Sequence, residues 1–189
     1  MTTGVPVGQY GIRYTGMPID PIEEQLEKFH AGAITIGVEF RVLTDEIVAA
    51  MGRADEAKAN GALNLNDDGV SLHVYSKGPD GDLERLRFDC FKDDPHYHYV
   101  DWPKHTQDII HLDPTMTGDV LTWALALIRT RLPLLLERAG IADAARIVDP
   151  SLIEEVMPQV TEAAYRARYN ADKSNVAKTA LKTGDRLRA

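Results

Sequence analysis

Residues 96–99 read His-Tyr-His-Tyr, inside the stretch "FDCFKDDPHYHYVDW" at 88–102. Successive side chains of a strand leave opposite faces, so His96 and His98 would share one side and Tyr97 and Tyr99 the other. Two imidazoles on one face can ligate a divalent transition metal, or move protons near neutral pH. His96, His98, His105 and His111, four of the six histidines, fall within 16 residues. Their spacing matches no zinc signature, since there is no His-Glu-x-x-His, and "YVDWPK" lacks a glutamate soon after His98. The cofactor expectation is therefore either none or one divalent transition metal. Its ligands would be His96, His98 and Glu39, with His73 or Asp89 as alternative third ligands. Such a site would lose metal as pH falls through about 6.

The strands that could position these groups follow from alternation. In "AITIGVEFRVL", Ile34, Ile36, Val38, Phe40 and Val42 alternate with Thr35, Gly37, Glu39 and Arg41. "VSLHVYS" and "LERLRFDCF" flank the turn cluster "KGPDGD" and read as a β-hairpin. With Leu72 opposite Phe88, His73 falls beside Arg87 with Asp89 diagonal to it. One face then gathers Glu39, Arg41, His73, Arg87, Asp89, His96 and His98. A solvated face laced with cross-strand ion pairs has the same alternation and carries equal weight. The mixture of His, Tyr and Trp with carboxylates favours a site. The expected acid–base residues are His73, His96, His98 and Asp89. Arg41 and Arg87 would hold a substrate carboxylate, with Tyr75 and Trp102 beside it. Cys90 falls on the apolar face without an adjacent base, so it reads as a core residue rather than a nucleophile. There is no Gly-x-Ser-x-Gly, P-loop or dinucleotide fingerprint.

The remaining elements are coarser. Gly and Pro recur through residues 1–19, which reads as an irregular arm, and Asp20-Pro21 looks like the opening of a short helix, "PIEEQLEKFH". Residues 45–58 suit a helix weakened by Gly52, and "NLNDDG" suits a turn. After Pro103 the chain turns helical. Asp119 would cap a long buried helix that carries Pro133 and ends at Gly140, and Asp149-Pro150 opens another through Tyr169. Strands first and helices later predict an α+β fold: a mainly antiparallel sheet of four or more strands, backed on one face by the C-terminal helices. Residues 1–169 would form one domain. Residues 170–189 would be a basic tail, disordered or clasping a partner: from Arg166 onward, seven Lys or Arg stand against two Asp, while the whole chain carries −8.

That net charge disfavours nucleic acid, and the longest apolar run, "WALALI", is far too short for a membrane helix. A single cysteine and no signal-peptide pattern suit a cytoplasmic protein. The buried helix suggests a homodimer. "LRFDCF", "PHYHY" and "GDVLTWAL" running to "LLERAGIADAA" resemble a family of uncharacterised bacterial proteins classed as a domain of unknown function, over roughly residues 65–150. The resemblance implies no activity, cofactor or site residue. From the residues alone, the leading expectation is a small lyase, isomerase or hydrolase, metal-assisted or not, acting on a small anionic organic molecule. The competing expectation is a non-catalytic subunit or ligand-binding module docked on a larger enzyme.

Overall fold

Alternation between apolar and polar side chains is what a half-covered antiparallel sheet requires, and seven strands obey it in one sheet. The computed structural model describes residues 12–50, 52–59, 65–78 and 81–170. The strands are β1 (Ile12–Thr15), β2 (Glu27–Ala31), β3 (Ile34–Thr44), β4 (Asn66–Gly78), β5 (Gly81–Phe91), β6 (His96–Asp101) and β7 (Thr106–His111). Their order is β1-β7-β6-β5-β4-β3-β2, antiparallel throughout. β2 to β7 thus form a meander, with β1 added at the far edge. The helices are α1 (Asp45–Ala50), α2 (Ala54–Ala59), α3 (Pro114–Thr117), α4 (Val120–Arg138), α5 (Ala142–Arg146) and α6 (Pro150–Asn170).

The fold is α+β, with α4 packed on β5 and α6 on β2, β3 and β4. Buried Leu121, Ala124, Leu125, Ile128, Leu132 and Leu136 of α4 recur at three- and four-residue steps, forming one stripe. That stripe and Ile153, Met157 and Val160 of α6 meet Ile36, Val38, Leu72, Val74, Leu86 and Phe88 in one core. Asp119 caps α4 by accepting from Thr122 N at 2.8 Å, and Asp149 accepts from Ser151 N at 2.9 Å at the start of α6. No helix among the described residues is long and apolar enough to cross a membrane.

Four local expectations change. "PIEEQLEKFH" is not a helix: a 3-10 turn at Glu23–Gln25 gives way to β2, because pairing with β3 outweighs local helix propensity. The helix expected at 45–58 splits into α1 and α2 around Gly52, whose φ is +74°. "NLNDDG" is strand from Asn66 onward, where β4 begins, and Asn64 lies outside the described residues; at Gly69 an added Cβ would lie 2.3 Å from the Cys90 carbonyl oxygen. Residues 106–111, past Pro103, are strand rather than the beginning of a helical half. Residues 1–11 of the expected arm, the tail from 171 and the hairpin tip at 79–80 lie outside the described residues, while 12–15 of that arm form β1.

The topology also explains what covers the polar face. β1 and β2 occupy opposite edges, so the segment at 16–26 must cross the sheet's full width, roughly 29 Å for six strand spacings. Its extended reach is about 36 Å, enough for a direct crossing. It crosses on the side away from the helices: Ile19 O accepts from Arg41 and Arg87, and Ile22 N donates to Glu39. Polar residues that alternation alone would leave in solvent are therefore buried.

Candidate functional site

The hairpin register is Ser71 opposite Asp89, Leu72 opposite Phe88 and His73 opposite Arg87. Between Val74 and Tyr75 the register shifts: Val74 faces Leu86 and Tyr75 faces Glu84, leaving Arg85 as the extra residue of a β-bulge. The bulge resets the alternation of β5 and brings Glu84 to the face of Arg87 and Asp89. Strict alternation had assigned Glu84 to the other side.

Two clusters result. The first centres on His73, which is fully buried. Its Nδ1 lies 2.6 Å from Glu84 Oε1 and its Nε2 lies 3.2 Å from Glu39 Oε1. Arg87 grips Glu84 with two bonds, Nε to Oε1 at 2.9 Å and Nη2 to Oε2 at 2.7 Å. Its Nη1 donates to Ile19 O at 2.7 Å. Arg41 lies 3.3 Å from Glu39 Oε1 and donates to the same Ile19 carbonyl at 3.2 Å. Tyr75 stacks on His73 with ring centroids 6.0 Å apart. Burial alone would raise the Glu84 pKa, but Arg87 and His73 hold it far below the usual carboxylate range. Glu39 is lowered against the same burial, chiefly by Arg41. Burial alone would lower His73, and Glu84 and Glu39 raise it instead. With His73 as imidazolium, three cations face Glu39, Glu84 and the neighbouring Asp89.

The second cluster lies nearer the β6–β7 side. Asp89 is buried, and its Oδ1 accepts from the Ser71 hydroxyl. Its Oδ2 lies 2.9 Å from His98 Nε2 and 3.4 Å from His96 Nε2. The far nitrogens are also fixed. His98 Nδ1 is 2.7 Å from Gln107 Oε1, and His96 Nδ1 is 2.7 Å from the Asp94 carbonyl oxygen. His111 Nδ1 meets Asp94 Oδ1 at 2.7 Å, so Asp94, His96 and His111 form a more exposed second group. Asp67 holds the connecting turn by accepting from the backbone N–H of Lys92, Asp93 and Asp94. As the groups stand, burial opposes the Asp89 charge, yet His96 and His98 hold its pKa well down. His96 is raised by Asp89 against its burial, and His98 is lowered by burial despite Asp89.

His73, Asp89, His96 and His98 thus share one buried face, in two groups. Glu39 does not join the metal-type group expected from sequence: it pairs with His73 and Arg41, and Asp89 takes its place beside the two imidazoles. Arg41 and Arg87 are engaged with Glu39, Glu84 and Ile19, so neither presents an open fork to a substrate carboxylate. Tyr75 belongs to the His73 group. Trp102 stands apart on the β6–β7 turn, 38% exposed, its indole N–H donating to Glu84 O at 2.7 Å. Cys90 is a buried core residue whose pKa is pushed up by that burial. Glu84 and Gln107 escaped the sequence reading, whereas alternation does place Ser71 on the face of His73, opposite Asp89. Alternation in "TQDIIH" could have found Gln107, which shares a face with His111.

A family model for a domain of unknown function, DUF7700, matches residues 28–164. The chain belongs to this family. The DUF7700 match spans β2 to most of α6 and so contains both clusters. No curated protein and no solved structure matches the chain.

Proposed function

We propose that this chain is a small metal-assisted enzyme acting on a small anionic organic molecule, with Asp89, His96 and His98 holding one divalent transition ion. One observation carries the reading: the Nε2 atoms of His96 and His98 converge on the Asp89 carboxylate while each Nδ1 meets a carbonyl oxygen. With each Nδ1–H donating to a carbonyl oxygen, a neutral His96 and a neutral His98 both aim an Nε2 lone pair at the Asp89 carboxylate. Lone pairs 2.9 and 3.4 Å from a carboxylate oxygen call for a cation among them, either a proton held on a ring nitrogen and donated to Asp89 or the proposed metal ion. For metal–ligand bonds of about 2.1 Å, neighbouring donors of an octahedral or tetrahedral ion lie about 3.0 to 3.4 Å apart. The second shell also fits, since metal-bound histidines ordinarily donate the other N–H to a carbonyl or carboxylate.

Two histidines and one carboxylate on one side of an ion leave coordination positions for water and for a substrate oxygen. The ion would take over the anion-binding role first expected of Arg41 and Arg87, and would polarise a bound carboxylate or carbonyl as a Lewis acid. Reaction classes that suit it are hydrolysis, elimination and isomerisation next to a carboxylate. His96, the more exposed of the pair, marks the side of entry.

The test is metal content of untagged protein after dialysis against equimolar Zn²⁺, Co²⁺ or Fe²⁺, followed by incubation of the loaded protein with small carboxylic acids. The expected result is one ion per chain, a Co²⁺ visible spectrum typical of nitrogen–oxygen ligation, and turnover of at least one acid. In a His96→Ala/His98→Ala variant that keeps its circular dichroism, ion and turnover should both vanish. A wild-type protein that retains no ion overturns the reading.

A further inference from the structure

On the opposite, helix-facing side of the sheet, a pocket of about 480 Å³ lies where the C-terminus of α4 approaches the β6–β7 turn. We infer that this pocket is a binding site for a small organic dianion, a phosphate ester or a dicarboxylate, that is separate from the Asp89–His96–His98 group. The inference does not depend on a metal being bound there. Tyr99, Asp101 and Asp108 belong to the face opposite His96 and His98, and along β6 the two sites are separated by roughly 15 Å.

Charge carries the argument. Arg13, Arg85, Lys104 and Arg138 line the pocket against only Asp101 and Asp108, in a chain whose net charge is −8. Both carboxylates are already engaged. Asp108 accepts two bonds from Arg13, each 2.7 Å, and Asp101 pairs with Lys104. Arg85 has no carboxylate partner among the described residues: its Nε donates to the Ser76 hydroxyl at 2.9 Å. It is also the residue that the β-bulge ejects from the ladder, so its direction is set by backbone geometry. Burial without a nearby counter-charge lowers its pKa, as an incoming anion would reverse. Arg138 lies against the Tyr99 hydroxyl on the same wall.

The nearby end of α4 carries the negative pole of its dipole, which the basic side chains must outweigh, and three of its last carbonyls are occupied. Leu135 O, Leu136 O and Glu137 O accept from Ala139, Ile141 and Gly140. The walls also supply apolar area, from Trp102, Pro103 and Ile141. Trp102 is held by its indole hydrogen bond, and the turn that carries it is fixed by His105, whose φ of +52° is the one positive value among described non-glycine residues. Two guanidinium groups beside a flat aromatic wall suit a ligand with a doubly charged oxyanion and a planar or apolar body.

Calorimetry and Trp102 fluorescence with inorganic phosphate and with succinate, at matched ionic strength, test the site. The expected result is saturable binding at or below about 1 mM, weakened about tenfold or more in Arg85→Gln, as loss of a charge-assisted bond requires. Lys104→Gln, on the exposed rim, should keep the fold and weaken binding less. Tighter phosphate binding marks a phosphate-ester site, and tighter succinate binding a dicarboxylate site. Absence of saturation with both ligands, or equal affinity in wild type and a folded Arg85→Gln, overturns the inference. Ion content at Asp89–His96–His98 should be the same in all these proteins.

Discussion

The two clusters on the covered sheet face both set imidazoles against buried carboxylates, yet the partners of those carboxylates differ. Around His73, the carboxylates meet cations of their own cluster: Arg87 and His73 bond Glu84, and Ile22 N donates to Glu39 Oε2, while Arg41 and His73 pair with Glu39 Oε1 by charge at 3.3 and 3.2 Å without a hydrogen bond. The group is closed in charge, since His73, Arg41 and Arg87 face its carboxylates, although Glu39 Oε1, His73 Nε2 and the Tyr75 hydroxyl have no hydrogen-bond partner among the described residues. Around Asp89, the Nδ1 atoms of His96 and His98 are taken up by Asp94 O and Gln107, and both Nε2 atoms meet the carboxylate. The His73 group is the denser in charge, with two guanidiniums and two carboxylates against one carboxylate beside His96 and His98, so neither burial nor charge density marks out a site. What differs is the partner of the carboxylate: Glu84 is gripped by a guanidinium, whereas Asp89 is bonded by the Ser71 hydroxyl and by imidazoles that can exchange a proton for a metal ion.

Removing a partner from the closed cluster should give the largest effect on stability. His73→Leu leaves Glu39 and Glu84 buried with less compensation, and Arg87→Met removes both of the guanidinium bonds to Glu84. Each should destabilise by about 3–5 kcal/mol, the usual consequence of breaking a buried ion pair. Chemical denaturation of protein with its ion content measured in parallel checks this. Any His73→Leu molecules that fold should still bind one ion, because His73 is not among the three converging groups. Loss of the ion in folded His73→Leu would merge the clusters into a single unit.

The second effect is a pH window. Glu39 and Glu84 have folded pKa values below their unfolded ones, so their stabilisation is complete above the unfolded range near 4.3 and fades as pH falls through the folded values. His73 is raised, so its contribution is complete below about 6.5 and is lost as pH rises through its folded value. The closed cluster should therefore stabilise most between about pH 4.5 and 6.5. Denaturation midpoints measured in metal-free protein from about pH 3 to about pH 9, beyond both ends of that range, should flatten on the alkaline side in His73→Gln, while the acid limb persists. An unchanged alkaline limb would mean that His73 is neutral in the folded protein.

How much of this the sequence contained follows from the same clusters. Alternation in β3, β4, β5 and β6 put Glu39, His73, Arg87, Asp89, His96 and His98 on one face, and the expected Leu72–Phe88 register is the one observed. Alternation has a period of two and is blind to an inserted residue. The bulge at Arg85 therefore hid Glu84, the carboxylate that occupies Arg87, and made Arg87 look available to a substrate. Burial was illegible for a different reason. It depends on β1 joining the β7 edge, which forces residues 16–26 across the polar face, and no local pattern encodes that pairing. β2 was misread because its helix-forming residues sit on an edge strand, where pairing with β3 decides the outcome.

The smallest effect sharpens the contrast most, because it concerns a residue that touches no ion. Gln107 accepts from His98 Nδ1 at 2.7 Å and is buried on β7, two residues from the nearest direct cross-strand partner of His98. If that bond only fills space, Gln107→Leu, similar in volume, should leave ion affinity unchanged. If it fixes the tautomer that presents the His98 Nε2 lone pair to Asp89, the variant should fold normally and bind Zn²⁺ or Co²⁺ about 10- to 100-fold more weakly. The histidine ring would then have lost its only fixed partner on the Nδ1 side and could rotate away from the convergent geometry. Gln107→Glu provides the converse: a carboxylate accepts from Nδ1–H more strongly, so affinity should return to the wild-type value or exceed it. Competition titrations with a chromophoric chelator measure all three proteins on one scale. A loss in Gln107→Leu that Gln107→Glu restores assigns Gln107 a positioning role, and equal affinities in the three would remove the second shell from the argument.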